Sequence, residues 1–196
     1  MINENFIFLG AAIGSIGGIF YLIDVLKGRV KPNRVSWFLW ALAPLIAFTA
    51  QIQQAVDLES VLTFSVGFIP LLIFLASFVN KNSEWKLTKF DFACGALSIL
   101  GIFLWLITKD ANLAILFAIV ADTLASIPTI VKSWKEPETE NYWVFLGGII
   151  NSGVALLIIK EWNFATASFS LYIFILSILF TLLIKFKLGP RLSKSL

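Results

Sequence analysis

The chain has no histidine, and its one cysteine, Cys94, lies in an apolar stretch. Without these residues the chain cannot assemble a disulfide, a zinc site, a Cys/His nucleophile pair or an imidazole proton relay. Charged residues are scarce too, at 14% of 196 residues, where soluble domains usually have about 25%. These absences exclude most classes of enzyme, and we expect no catalytic residues, no metal and no cofactor.

Apolar residues make up 59% of the chain and are gathered into seven runs. The runs cover approximately residues 6–26, 35–53, 58–79, 90–108, 112–133, 141–159 and 164–184. Each is near the roughly 20 residues that a helix needs to cross a bilayer core of about 30 Å. Such runs are too long for strands, and an open sheet in lipid would leave backbone groups unpaired. The sequence therefore predicts an all-α membrane protein with seven transmembrane helices surrounded by the lipid bilayer.

The Lys and Arg residues are unevenly divided between the loops. Thirteen of the 15 fall in the loops after the first, third and fifth runs and in the C-terminal segment, and only Lys109 and Lys160 lie in the other loops. Cytoplasmic loops carry an excess of Lys and Arg. We therefore expect a multi-pass protein with its N-terminus outside and its C-terminus in the cytoplasm. We expect no nucleic-acid partner, because these charges share no soluble face.

The two halves of the chain resemble each other in order and spacing. The aligned pairs are Gly14–Ile19 with Asp122–Ile127 at an offset of 108, Trp37 with Trp143 at 106, and Thr63–Ser65 with Ser168–Ser170 at 105. This self-similarity predicts a first three-helix repeat in residues 1–80 and a linker helix in residues 81–110. Residues 111–196 then hold the second three-helix repeat and a short cytoplasmic tail. The linker helix adds one crossing, so the two repeats point the same way and form a parallel repeat.

The segment Ser126–Trp134, with the sequence SIPTIVKSW, carries the clearest local resemblance to a known family. Together with the three-plus-one-plus-three plan, it resembles the SWEET sugar transporters and the wider PQ-loop family. The chain departs from that motif at Thr129, where the family has Gln, and at Phe20 and Tyr21, which replace Pro-Gln in the first repeat. The resemblance implies a transporter of a small polar solute, sugar-like or amino-acid-like, that works by alternating access.

Other functions remain open at this point. Trp37 and Trp40 are similar to a Trp-x-x-Trp element of bacterial nicotinamide riboside transporters, although Ala43 stands where those proteins have Asn or Asp. A ligand-binding receptor of the same fold, like the KDEL receptor, and an oligomerising membrane subunit are further alternatives. The sequence also leaves a homo-oligomer open.

Asp122 is the one acidic residue that lies near the middle of an apolar run. A carboxylate inside the bilayer costs about 2.5 to 3.5 kcal/mol on insertion scales and usually faces a cavity or a partner. It is therefore predicted to be a proton-coupling site. The alternative is a structural carboxylate that is hydrogen-bonded to Ser15 or Thr123.

A central pocket is predicted from polar and aromatic residues near the midpoints of several runs. Asn151 and Trp40 are the first candidates for contact with solute, although Asn151 would also serve as a hydrogen-bonding link between helices. The prolines Pro44 and Pro128 are candidate hinges, because proline frees a backbone carbonyl and bends a helix. The full set of candidate solute-binding residues is Asn151, Trp40, Ser65, Ser170 and Ser15.

Overall fold

The structure, a computed structural model, describes residues 5–52 and 58–193. Within these ranges the chain forms eight α-helices and two single-turn 3-10 helices at Lys81–Ser83 and Pro137–Thr139. The α-helices are α1 (Phe6–Leu26), α2 (Arg34–Ile52), α3 (Leu58–Ala76), α4 (Lys89–Ile107), α5 (Ala111–Lys135), α6 (Trp143–Ile158), α7 (Phe164–Lys185) and α8 (Leu188–Ser193). The seven apolar runs thus become α1 to α7, with ends within three residues of the expected positions.

Local side chains explain where several helices begin and where α1 ends. Thr88 and Asp91 form a reciprocal capping box at the start of α4, and Asn163 does the same with a residue of α7. Asp110 caps α5 by accepting a backbone hydrogen bond three residues on, at 2.9 Å. Gly28, with φ of +69°, follows α1 in the left-handed region that favours glycine. Polar caps therefore interrupt the apolar sequence at the helix ends.

The described helices have the length and surface of membrane-embedded elements. By length and composition four can cross a membrane, namely Phe6–Leu26, Lys89–Ile107, Asn112–Lys135 and Phe164–Lys185. Three shorter apolar helices cover Arg34–Thr49, Thr63–Ala76 and Trp143–Ile158. Large apolar side chains such as Leu97, Phe103 and Ile175 are more than half exposed, which suits lipid better than water. The prediction of an all-α, membrane-embedded protein is confirmed at this level.

The helix contacts follow a regular scheme. Helix α3 contacts both α1 and α2, and α7 contacts both α5 and α6. Between these groups α1 packs along α6, and α2 packs against α5. Helix α4 lies against α5 and α2. The first three helices and the last three long helices therefore meet mainly along α1–α6 and α2–α5.

Glycines allow α1 and α6 to approach closely. A Cβ atom placed on Gly147 would lie 3.0 Å from the Cα of Gly14, and one placed on Gly17 would lie 2.5 Å from the carbonyl oxygen of Trp143. Rising residue numbers in α1 meet falling numbers in α6, so the two helices are antiparallel. Small residues at such a crossing let the two backbones approach closely, which is a common way for helices to associate in lipid.

The C-terminal tail expected from the sequence contains the short helix α8. Its Gly189 lies against the backbone of Trp134 near the end of α5, where a side chain would not fit. The tail is therefore packed against the bundle at Gly189, while Arg191 to Ser193, the last described residues, are exposed.

Candidate functional site

Asp122 lies near the middle of α5, about 16 Å along the axis from Ala111 at 1.5 Å per residue. Its Oδ2 accepts a hydrogen bond of 2.8 Å from the hydroxyl of Tyr172 in α7. The hydroxyl of Ser126, one turn further along α5, lies 3.5 Å from the same oxygen. The carboxylate is thus fixed between α5 and α7 by a donor that lies 50 positions away in the chain.

The hydrogen-bond partners of Asp122 differ from those expected. The sequence suggested Ser15 or Thr123, but Thr123 donates to the carbonyl oxygen of Ile119 at 2.7 Å, as hydroxyls inside helices often do. Tyr172 was missed because one more aromatic residue in an apolar run gives no signal of its own. Only the packing of α5 against α7 makes it the neighbour of Asp122.

Trp40 lies where the two halves of the chain meet. Its ring centroid is 5.1 Å from that of Trp37 in α2, 6.3 Å from Phe145 in α6 and 6.0 Å from Phe180 in α7, each with an edge-to-face geometry. Edge-to-face pairs at these distances are favourable for aromatic rings. Trp40 also packs against all three clusters of buried apolar residues. It therefore joins helices from both halves at the centre of the bundle.

Asn151 lies at the crossing of α1 and α6. A Cβ atom on Gly10 would stand 3.1 Å from the Asn151 Oδ1, and one on Gly14 would stand 3.6 Å from its Cβ. The amide therefore rests against the backbone of α1, which is the surroundings expected for a residue that holds helices together. Its role toward a solute stays a prediction.

The remaining candidates are spread over several helices. Ser15, Ser65 and Ser170 are half-buried in α1, α3 and α7, respectively. Pro44 lies inside α2, and Pro128 lies inside α5, where it is buried. The grouping of the three serines around one pocket and the use of the two prolines as hinges stay predictions.

A buried ion pair lies where α5 ends and α6 begins. The Nζ of Lys132 is 2.6 Å from the Oε1 of Glu140, and the two side chains are 1% and 0% exposed. The Lys132 ammonium also donates to the carbonyl oxygens of Lys31 and, at 3.3 Å, of Thr139. Sequence reasoning treated Lys132 as a loop charge that reports topology, but the fold encloses it. A buried charge is tolerated when it is paired and hydrogen-bonded in this way.

Tyr21 of α1 completes this cluster. Its hydroxyl donates to the Oε2 of Glu140 at 2.5 Å, and its ring lies 4.6 Å from that of Trp37. Trp37 lies near the start of α2, and its ring is buried against Tyr21 in the core. Both halves of the chain therefore contribute to the cluster around Glu140.

A second set of bonds joins the halves beside the first. The Oγ1 of Thr129 donates to the Oγ of Ser36 at 2.8 Å, and Ser36 in turn donates to the carbonyl oxygen of Ala125 at 2.6 Å. Ser36 and Thr129 are fully buried. We call the group formed by Tyr21, Ser36, Thr129, Lys132 and Glu140 the polar layer.

One signal in the sequence pointed to the polar layer. Tyr21 and Thr129 are separated by 108 positions, the same offset that aligns α1 with α5. Both therefore occupy one position of the repeat, and both donate across to the other half of the chain. Glu140 gave no comparable signal, because a glutamate in a loop is ordinarily solvated.

Comparison of the chain with protein families, with curated proteins and with solved structures gives no match. The resemblance to the SWEET and PQ-loop proteins stays a prediction from the sequence.

Proposed function

We propose that this protein is a transporter of a small polar solute that works by alternating access between two three-helix units. The first unit comprises α1, α2 and α3, the second comprises α5, α6 and α7, and α4 is the linker. All seven helices cross the bilayer in this proposal, and the two units form a parallel repeat. The N-terminus is outside and the C-terminus is cytoplasmic, in accord with the distribution of Lys and Arg.

The observation that carries this proposal is the exchange symmetry of the helix contacts. Within the units, the contacts of α3 with α1 and α2 are matched by those of α7 with α5 and α6. Between the units, α1 contacts α6 and α5 contacts α2, although the first of these contacts is much the more extensive. The same helix partners in both halves are expected of two structural repeats related by a pseudo-two-fold axis, and transporters built from such repeats bind solute between them.

Individual residues support the same relation. Gly17 of α1 lies against the backbone of Trp143 in α6, and Ser36 of α2 bonds to the backbone of Ala125 in α5. Gly17 and Ala125 are separated by 108 positions, and Ser36 and Trp143 by 107. The contact of Gly17 with Trp143 thus has a counterpart at the other crossing, one position before Trp37, the residue that the repeat aligns with Trp143.

Asp122 supplies the proposed coupling to protons. A carboxylate within a membrane span is costly and is usually kept for a function. Protonation removes its charge, so one side chain alternates between a charged and a neutral form as the units change access. Tyr172 and Ser126, both in the second unit, hold the carboxylate in place.

The first experiment identifies a ligand and then asks whether it moves. The detergent-solubilised protein is screened by thermal shift against sugars, amino acids and nucleosides at two pH values, because a ligand of the folded state raises the apparent stability. The ligands that bind are then tested for uptake and exchange in proteoliposomes. We expect saturable movement of at least one of them. A ligand that binds without crossing would overturn transport and favour the receptor.

A further inference from the structure

The polar layer lies at one end of the bundle and joins the two units there by side-chain hydrogen bonds. Tyr21 of the first unit donates to Glu140 of the second, and Thr129 of the second unit donates to Ser36 of the first. The layer lies at the end where α1 and α5 terminate and where α2 and α6 begin. Separation of the units at this end therefore breaks these bonds, together with the backbone bond from Lys31 to the Thr139 carbonyl oxygen and the bond from Asn141 to Asp24.

Two of the side-chain donors that bond across the units, Tyr21 and Thr129, are related by the repeat. Tyr21 and Thr129 occupy the same position of α1 and α5, and each donates to a residue at or before the start of the helix that its own helix packs against. A hydrogen bond without a role at the α1–α6 contact would not be expected to recur at the α2–α5 contact. These two related hydrogen bonds would therefore break together when one unit rotates against the other.

The chemistry of the layer also suits a contact that breaks and re-forms. An apolar contact of the same area would separate without leaving any specific group unpaired. Here the separated surfaces would carry Lys132, Glu140 and Tyr21, which water solvates readily once it enters. Burying these charged groups costs desolvation free energy, which is recovered when water reaches them. The closed form and an open, hydrated form of this end can therefore lie close in free energy.

We propose that the polar layer is the gate on the predicted cytoplasmic side, and that the structure represents the protein with this gate closed. The proposal rests on the two units described above, and it assigns to Tyr21 and Glu140 the bond that most directly holds the gate shut. Lys132 keeps Glu140 in place, and the Ser36–Thr129 bond closes the second contact between the units.

The test measures access to the interior rather than transport. A reporter cysteine is placed at Ser126, which is fully buried and lies about one helical turn from Thr129 toward the middle of α5. A second reporter is placed at Ser98, which is buried between α4 and α5 away from the layer. Both are made in a Cys94→Ala background and labelled with an impermeant thiol reagent in inside-out vesicles.

The gate variants are Tyr21→Phe, which keeps the ring and removes the hydroxyl, and Glu140→Gln, which keeps the shape and removes the charge. Tyr21→Phe should accelerate labelling at Ser126→Cys by about tenfold, the size expected when one buried hydrogen bond is lost. Glu140→Gln should accelerate it further, because this change also leaves Lys132 charged without its partner in the closed form. Labelling at Ser98→Cys should not change. The matched control is Glu84→Gln, because Glu84 pairs with Arg34 at 3.6 Å at the same end but is 61% exposed. It should label like the parent.

Two results would overturn the gate. If neither variant labels faster than the parent at Ser126→Cys, the layer does not control access. If both reporters become more reactive together, the layer stabilises the whole fold and is no gate. The labelling needs no solute, so a failure of the uptake experiment leaves this outcome readable by itself.

Discussion

Asp122 is the side chain on which proton coupling depends. The variant Asp122→Asn keeps nearly the same shape and removes the charge, while Asn can still accept a hydrogen bond from Tyr172. We expect uptake into proteoliposomes to lose its acceleration by a pH gradient, because the amide cannot cycle a proton. Exchange of solute without a gradient should persist.

The structural alternative for Asp122 gives a different pair of results. If the carboxylate only links α5 to α7, the substitution should change the free energy of unfolding by about 1–3 kcal/mol and leave the pH profile as in the parent. An Asp122→Asn protein that still responds to the gradient would leave a passive facilitator as the better proposal. Tyr172→Phe is the useful companion, since it perturbs the same bond without removing the carboxylate.

The Lys132–Glu140 pair predicts a large effect on stability. Lys132→Met removes the cation and leaves Glu140 charged in a buried site, which typically costs about 3–5 kcal/mol. Arg29→Met is the control, because Arg29 pairs with Asp24 at 3.3 Å but is 64% exposed, and such pairs contribute only about 0–1 kcal/mol. Unfolding in detergent should separate the two variants. If both variants lose the same free energy of unfolding, the Lys132–Glu140 pair is solvated in the working protein.

Two glycines of α1 provide a test of the helix crossing. A Cβ on Gly17 would meet the backbone of Trp143, which cannot move aside, whereas a Cβ on Gly14 would be in ordinary contact, 3.6 Å from the Cβ of Asn151. Gly17→Ala should therefore destabilise the protein by about 1–3 kcal/mol, the usual cost of overpacking. Gly14→Ala should be neutral or slightly stabilising, since Ala favours a helix by about 1 kcal/mol over Gly.

The measurement is thermal unfolding of the two purified variants beside the parent. A Gly17→Ala protein as stable as Gly14→Ala would mean that α1 and α6 are further apart than the structure places them. The separation of the units would then have to be reconsidered, because this crossing is the more extensive of their two contacts.

The orientation of the whole molecule can be tested by cysteine labelling. Single cysteines at Lys109 and Glu161, which are exposed in the two loops poor in Lys and Arg, should react with an impermeant maleimide in intact cells. Cysteines at Lys86 and Ser193, also exposed, should react only after permeabilisation. All four are made in a Cys94→Ala background. The reverse pattern would invert the topology, and a mixed pattern would change the number of spans.

The sequence by itself determined the helices and their surroundings. Runs of this length and composition can satisfy their backbone in lipid only as helices, so the positions of α1 to α7 followed without any knowledge of their contacts. Asp122 could be singled out for the same reason, since a charge in an apolar run is conspicuous whatever lies beside it. The spacing between Tyr21 and Thr129 was present in the repeat, although its meaning was not visible.

Only the tertiary structure decided which of these residues act together. Tyr172 became the partner of Asp122, and Glu140 became the centre of a buried cluster, because helices far apart in the chain pack side by side. Lys132 was counted among the loop charges that report topology, but neighbouring segments of the chain enclose it. Whether a polar or aromatic group is solvated or buried depends on what covers it, and in this bundle the cover comes from elements that lie far away in the chain.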